Sequence, residues 1–205
     1  MIGISLVYVL RNEQAYIERS ILSAARIASE LVVVDTGSSD DTKRICERLG
    51  ACIHDYAWGD DFSAARNYAL SKCSCDWIFT LDADEHVENE PVDVIVKAVS
   101  EAGDGGIAAY QFIRKNHYPL HDSSSPFYGP PFYPDFQTRL FKRVPEIFYS
   151  GRVHEGVVQS IQLSSVGGVG RVPVCIHHHM FRGDKERYER EKQAYYDRLS
   201  KTSEE

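Results

Sequence analysis

The sequence predicts an α/β fold, a mixed and mainly parallel sheet flanked by helices, on three observations. Short β-branched runs alternate with helix-periodic segments through the first hundred residues, the pattern of strand–helix–strand units with right-handed crossovers. Polar, acidic segments follow Leu10, Val34 and Leu81, directly after apolar runs. Ligands on open α/β sheets bind beyond the carboxyl ends of the strands, so these three segments mark a site edge. The second hundred residues read differently, as strands of a mixed or antiparallel extension.

Taken in order, residues 4–10 predict a first strand. Asn12 is placed to cap a helix whose Ile17, Ile21 and Ala25 fall four apart. Residues 31–34 predict a second strand, followed by the turn-rich Asp35-Thr-Gly-Ser-Ser-Asp-Asp41. Ser39 is the expected cap of the next helix, with Asp40 and Asp41 complementing its dipole and Gly50 ending it. Residues 51–56 predict a third strand and residues 77–81 a fourth. Between them Phe62, Ala65, Ala69 and Cys73 form the buried stripe of a helix. Residues 107–113, 137–142, 156–162 and 172–178 read as further strands. Residues 117–134, rich in Pro, Ser, Gly and aromatics, are too long for a simple connector and read as a loop over a site. From Asp184 a charged helix is expected, with Glu186/Arg190 and Arg187/Glu191 pairs.

At 205 residues the chain suits one globular domain with a sizeable core. The formal net charge of −7 excludes a general electrostatic attraction to nucleic acid, so an anionic ligand would need a local device such as a metal ion, an arginine or a helix N-terminus. Five cysteines without a repeating spacing argue against a disulfide framework, and Cys73-Ser-Cys75 lacks the gap of a zinc or redox pair. The N-terminus reads as a strand rather than a signal peptide. No stretch approaches the roughly 20 apolar residues of a membrane span. The expectation is a cytoplasmic protein, with peripheral contact to the inner face of a membrane left open.

The sharpest chemical feature is Leu81-Asp82-Ala83-Asp84-Glu85 after an apolar strand. Strand alternation would point Asp82 and Asp84 the same way. Two such carboxylates suit a hard divalent cation such as Mg²⁺ or Mn²⁺; they also suit an ordinary solvated turn. Arg152-Val-His154-Glu155 is a second polar cluster. The run His177-His178-His179 invites a metal reading, but consecutive strand residues alternate, so all three do not face one ion. Val174, Ile176 and His178 share a face if the strand continues.

Five segments, VLRNE (residues 9–13), ELVVVDTGSSDDT (30–42), WGDDFSAARNYAL (58–70), DWIFTLDADE (76–85) and SGRVHEGV (150–157), run in the order and at spacings of glycosyltransferase family 2. The chain resembles in particular a branch with lipooligosaccharide glucosyltransferases and peptide S-glycosyltransferases. The resemblance implies a GT-A fold, Rossmann-like, over residues 1–183: a nucleotide-binding half at 1–105, an acceptor-side half at 106–183, and the charged helix 184–205 beyond. It implies a UDP-sugar donor, Mn²⁺ or Mg²⁺, inverting transfer in cell-envelope glycan synthesis, and a glycan, lipid-linked or peptide acceptor. By resemblance Val9, Glu13 and Asp35 line the nucleoside pocket and Arg66 faces the donor. Asp82 lies near ribose and metal, Asp84 is the direct metal ligand, and His178 completes the metal site or is a hydrogen-bonded structural histidine. Met180 and Phe181 depart from the Gly and Tyr of the branch pattern. Glu155 is the candidate base, or else a structural partner of Arg152 or His154; Arg139 contacts the acceptor or supports the fold. Two alternatives stand beside this reading: a nucleotidyltransferase, although no Gly-rich basic signature lies near the N-terminus, and a non-catalytic sugar-nucleotide-binding domain.

Overall fold

A computed structural model describes residues 2–87, 92–103, 106–117, 134–152 and 155–179, with positions 190, 194, 195 and 197. Residues 118–133 of the loop expected at 117–134, His154, Met180, Phe181 and nearly all of the helix expected from 184 lie outside the described residues.

The strands are β1 (Ile4–Leu10), β2 (Glu30–Asp35), β3 (Cys52–Asp55), β4 (Trp77–Thr80), β5 (Glu85–Val87), β6 (Ile107–His117), β7 (Asp135–Lys142) and β8 (Gly168–His179). They form one sheet in the order β3-β2-β1-β4-β7-β6-β8-β5. The first four run parallel. β7 is antiparallel to β4 and β6, β8 lies parallel to β6, and β5 closes the far edge antiparallel to β8. This is the mixed, mainly parallel sheet read from the sequence.

The helices are α1 (Ile17–Ala24), α2 (Thr42–Arg48), α3 (Phe62–Ser71), α4 (Val92–Glu101) and α5 (Val158–Leu163). Alternation along β1 divides the core. Ile4, Leu6, Tyr8 and Leu10 pack with Ile17 and Ile21 of α1, Cys46 of α2 and Ile95 and Val99 of α4. Val7 turns to the other face, beside Ala69 and Cys73 from α3 and its end and Ile161 of α5. Each fully buried aliphatic side chain contributes about 1.5–3 kcal/mol, so both layers hold the strand ends in fixed relation. All five cysteines are free thiols, and no helix among the described residues is long and apolar enough to cross a membrane.

Several sequence expectations are corrected. Residues 158–163 form a helix rather than a strand, because Val157, Ser160 and Ile161 are buried at helical spacing. Asn12 does not cap α1. It sits at φ 56° and its Oδ1 accepts from the Ser39 N–H at 2.8 Å, joining the turns after β1 and β2. Ser39 does not cap α2, whose N-cap is Asp41 without a side-chain cap bond; Asp40 Oδ1 accepts the Thr42 N–H at 3.0 Å in the turn before it. β5 and α4 were not anticipated, although Ile95 and Val99 of α4 and Ala102 just beyond it fall at helical spacing and are buried. The alternation expected through Asp82 and Asp84 also fails, since β4 ends at Thr80 and a turn follows.

Candidate active site

The four parallel strands end together. Asp82 follows β4, Val9 lies on the neighbouring β1, and Asp35 closes β2 one strand farther out. Asp35 is buried, and its Oδ1 accepts the Gly37 and Ser38 N–H groups at 2.9 and 2.8 Å. That leaves Oδ2 buried with no hydrogen-bond partner among the described residues. A buried carboxylate oxygen is costly to leave unmatched, so this atom is a ready acceptor for a ligand donor. Glu13 fixes the first turn through its backbone: its N–H donates to Thr42 Oγ1 at 2.7 Å, and its carbonyl accepts from Tyr16 and Ile17.

The centre is a chain of alternating charge. α3 begins at Asp61, whose side chain accepts the Ala64 N–H at 2.9 Å. One turn on, Arg66 donates from Nε to Glu155 Oε1 at 2.6 Å and from Nη2 to Asp82 Oδ1 at 2.9 Å. Asp82 Oδ2 takes Arg139 of β7 at 2.8 Å, and the same Arg139 nitrogen reaches Glu85 Oε1 at 2.5 Å. The other Glu85 oxygen accepts the Asp82 N–H at 3.1 Å. Arg114 of β6 lies 3.7 Å from Glu85 and 2.8 Å from Asp135. The Arg66 guanidinium also stands 5.4 Å from the Tyr149 ring centroid, and the Asn67 side-chain amide clamps the Tyr149 backbone, donating to its carbonyl and accepting its N–H.

Burial works against charge throughout this network, and neighbours decide each outcome. The Arg139 and Arg66 guanidiniums hold the Asp82 carboxyl far below the usual range despite its desolvation. Burial also opposes the charge on Arg66, but Asp82 foremost, and Glu155 with it, keep that guanidinium firmly ionised. For Glu85, enclosed with no exposed side-chain surface, burial prevails over Arg139 and raises the carboxyl. Among the described residues three guanidiniums face four carboxylates here, so these ion pairs alone do not attract an anionic diphosphate.

Asp84 stands apart from Asp82. Its Oδ2 is 3.5 Å from His178 Nε2, and His178 Nδ1 pairs with Asn116 at 2.8 Å. The Asp84 carbonyl accepts the His179 N–H, tying the turn to β8. His178 continues the face of the buried Val174 and Ile176, as alternation requires. Among the described residues no three His, Cys, Asp or Glu side chains are already grouped around one point as a cation would need. Asp84 and His178 supply an oxygen and an imidazole nitrogen side by side, while both oxygens of Asp82 are engaged by arginines.

The structure thus brings Arg66, Asp82, Arg139 and Glu155 together, pairs Asp84 with His178, and sets Val9, Glu13 and Asp35 along the same strand ends. Arg114, Asp135 and Tyr149 went unsuspected in sequence, for nothing local marks them; the β6–β7–β4 order carries in Arg114 and Asp135, and Asn67 of α3 holds Tyr149. Glu85 was visible as the last letter of DADE but gave no hint of its burial.

Residues 5–153 match glycosyl transferase family 2, and the chain belongs to that family. An uncharacterised glycosyltransferase of Rickettsia felis is 37% identical over 108 residues, 53% of this chain and 38% of the relative. Staphylococcus aureus TarS, solved in complex with UDP-GlcNAc, superposes with a TM-score of 0.64 at 15% identity, over 89% of this chain and 60% of that one. Glucosyl-3-phosphoglycerate synthase from Mycobacterium tuberculosis, solved with Mn²⁺, UDP and phosphoglyceric acid, gives 0.62 at 21% identity, over 88% and 72%. These neighbours share the GT-A fold. The chain spans about a fifth to two fifths of the curated relatives it matches.

Proposed function

We propose that this chain is the donor-binding and catalytic domain of a glycosyltransferase that moves a sugar from UDP-sugar to an acceptor hydroxyl, or another acceptor nucleophile, with inversion. The observation that carries the reading is the Arg66 guanidinium held between Asp82 and Glu155 at the carboxyl end of β4, in a chain of this family. It joins three residues far apart in sequence at the edge where α/β sheets bind ligands. UDP in two neighbours of the same fold favours uridine, and the open Asp35 Oδ2 is suited to accept from base or ribose.

In the reaction the acceptor oxygen bonds to the anomeric carbon as the bond from that carbon to the diphosphate breaks. Glu155 takes the acceptor proton, for which a carboxylate beside the reacting centre is suited. Its ion pair with Arg66 keeps it oriented and must loosen as the proton arrives, which frees Arg66 to face the departing diphosphate. Arg139 and Glu85 hold Asp82 in place beneath.

The residues fit a divalent cation in part: Asp84 and His178 would hold it, and donor oxygens would complete its shell. Bound there, Mn²⁺ or Mg²⁺ would supply charge to offset the diphosphate, which a network with one carboxylate in excess does not. Calorimetric titration with UDP tests the reading, with and without Mn²⁺, on the wild type and Asp84→Ala. Binding that needs both Mn²⁺ and Asp84 supports it. Equal binding without metal would remove the cation, and no binding under any condition would remove the donor site.

A further inference from the structure

On the face of β8 opposite His178, alternation points His177 and His179 the same way. Register sets His86 of β5 across from His177, and His117 of β6 across from His179. The four imidazoles form a compact array, with centroids 4.8 to 5.0 Å apart for the His86–His177, His86–His179, His117–His177 and His117–His179 pairs. They form one wall of a cavity of about 810 Å³, and Arg19 and Leu22 of α1 contribute to the other. None of these four residues serves the site described above.

Histidines gathered this closely could be a packing accident, an anion site or a cation site, and the hydrogen bonds discriminate. Arg19 donates from Nη2 to His86 Nε2 at 2.8 Å and from Nη1 to His179 Nε2 at 3.3 Å. A guanidinium has no acceptor, so both nitrogens present lone pairs and both rings are neutral. His117 Nε2 and His177 Nδ1 lie 2.6 Å apart, and one of that pair is also an acceptor. At least three ring lone pairs therefore point into the cluster, two of them on a cation that the protein itself supplies. Anion binding would need N–H groups there instead.

We propose that His86, His117, His177 and His179 form a second metal site, selective for a borderline divalent cation such as Zn²⁺, with the Arg19 guanidinium standing where the ion would be. Neutral imidazole suits such ions, whereas Mg²⁺ and Mn²⁺ prefer oxygen. As they stand the rings are stacked, and no three donors converge on one point. Tetrahedral Zn²⁺ with bonds of about 2.0–2.1 Å requires only ring rotation about the broad second torsion of histidine and withdrawal of the exposed Arg19 into the adjoining cavity. The bound ion would staple β5, β6 and β8, whose other face carries Glu85, Asn116 and His178. The proposal is independent of the transferase reading.

The test is Zn²⁺ binding to the full chain without a histidine tag, by competition with a chromophoric chelator. It is run in the Asp84→Ala background, so that the first site is silenced. One Zn²⁺ should still bind, and His177→Ala with His179→Ala should weaken it about a hundredfold or more, by loss of two ligands. Arg19→Gln, which removes a competing charge without touching a ligand, should tighten binding about tenfold. Co²⁺ in place of Zn²⁺ reports nitrogen coordination through its visible absorption, which misfolding of a variant would not imitate. Failure of the Asp84→Ala protein to bind Zn²⁺ would overturn the proposal. So would binding that is indifferent to both His177 and His179, or weakened by Arg19→Gln.

Discussion

Glu85 offers the most direct test of the charge network. Its carboxylate is fully enclosed, 2.5 Å from Arg139, 3.1 Å from the Asp82 N–H and 3.7 Å from Arg114. Glu85→Ala removes one partner of a buried pair and leaves Arg139, itself 8% exposed, with Asp82 alone. Losing one side of such a pair costs about 3–5 kcal/mol. Glu85→Gln keeps the shape and an acceptor for the Asp82 N–H. Because burial already raises the Glu85 carboxyl, the neutral amide also recovers part of a desolvation cost, and the loss should be only about 1–2 kcal/mol. For a chain of this length each kcal/mol moves Tm by about 2–4 °C, so alanine should melt at least about 6 °C lower. Equilibrium urea denaturation and calorimetry measure both variants. If both lie within about 0.5 kcal/mol of wild type, the range for neutral surface changes, the network is not supporting Asp82 and the argument fails.

Glu155→Gln should preserve UDP affinity and reduce turnover by about two orders of magnitude or more, the scale of a lost general base; wild-type turnover of UDP-sugar would remove that assignment. Asp35→Ala should weaken UDP binding by about tenfold through loss of a charged acceptor, read by titration, and unchanged affinity would take Asp35 out of the pocket. Glu30 predicts a pH effect. Burial opposes its charge, but bonds from Ser5, Ser74 and Cys75 lower the carboxyl from 4.5 to about 2. The folded value lies below the unfolded one, so its contribution is full above pH 4.5 and is lost as pH falls toward 2. After solvent screening it amounts to about 1 kcal/mol, and Glu30→Gln should flatten stability across that window in acid denaturation.

The parallel half was legible because its signals are local. β1, β2 and β4 are short apolar runs, and the segments after them had to be functional or costly. The helix α5 was misread because six residues are too few to separate period 2 from period 3.6 when Val, Ile and Gln occupy both patterns. In the site, Asp82 and Asp84 stood out as paired carboxylates after an apolar strand, Glu155 and His178 lay in short polar runs, and Arg66 was marked only by the family resemblance. Arg114 and its partner Asp135 did not stand out, since both sit in strands that look like ordinary half-exposed sheet. Their meeting is a fact of strand order, and no local pattern encodes strand order.

That order also bends the molecule. The chain leaves β4 near the middle of the sheet and re-enters as β5 at its far edge, beyond β7, β6 and β8. Four strand spacings laid flat cover about 19 Å, whereas the five peptide steps from Thr80 to Glu85 reach only about 17 Å when fully taut. They are not taut, because a turn lies within them. The Leu81–Asp84 link therefore acts as a drawstring that rolls the sheet and brings its edge toward its centre. Asp82 and Asp84 ride on that drawstring, so an added residue within it would slacken the roll as well as displace two carboxylates.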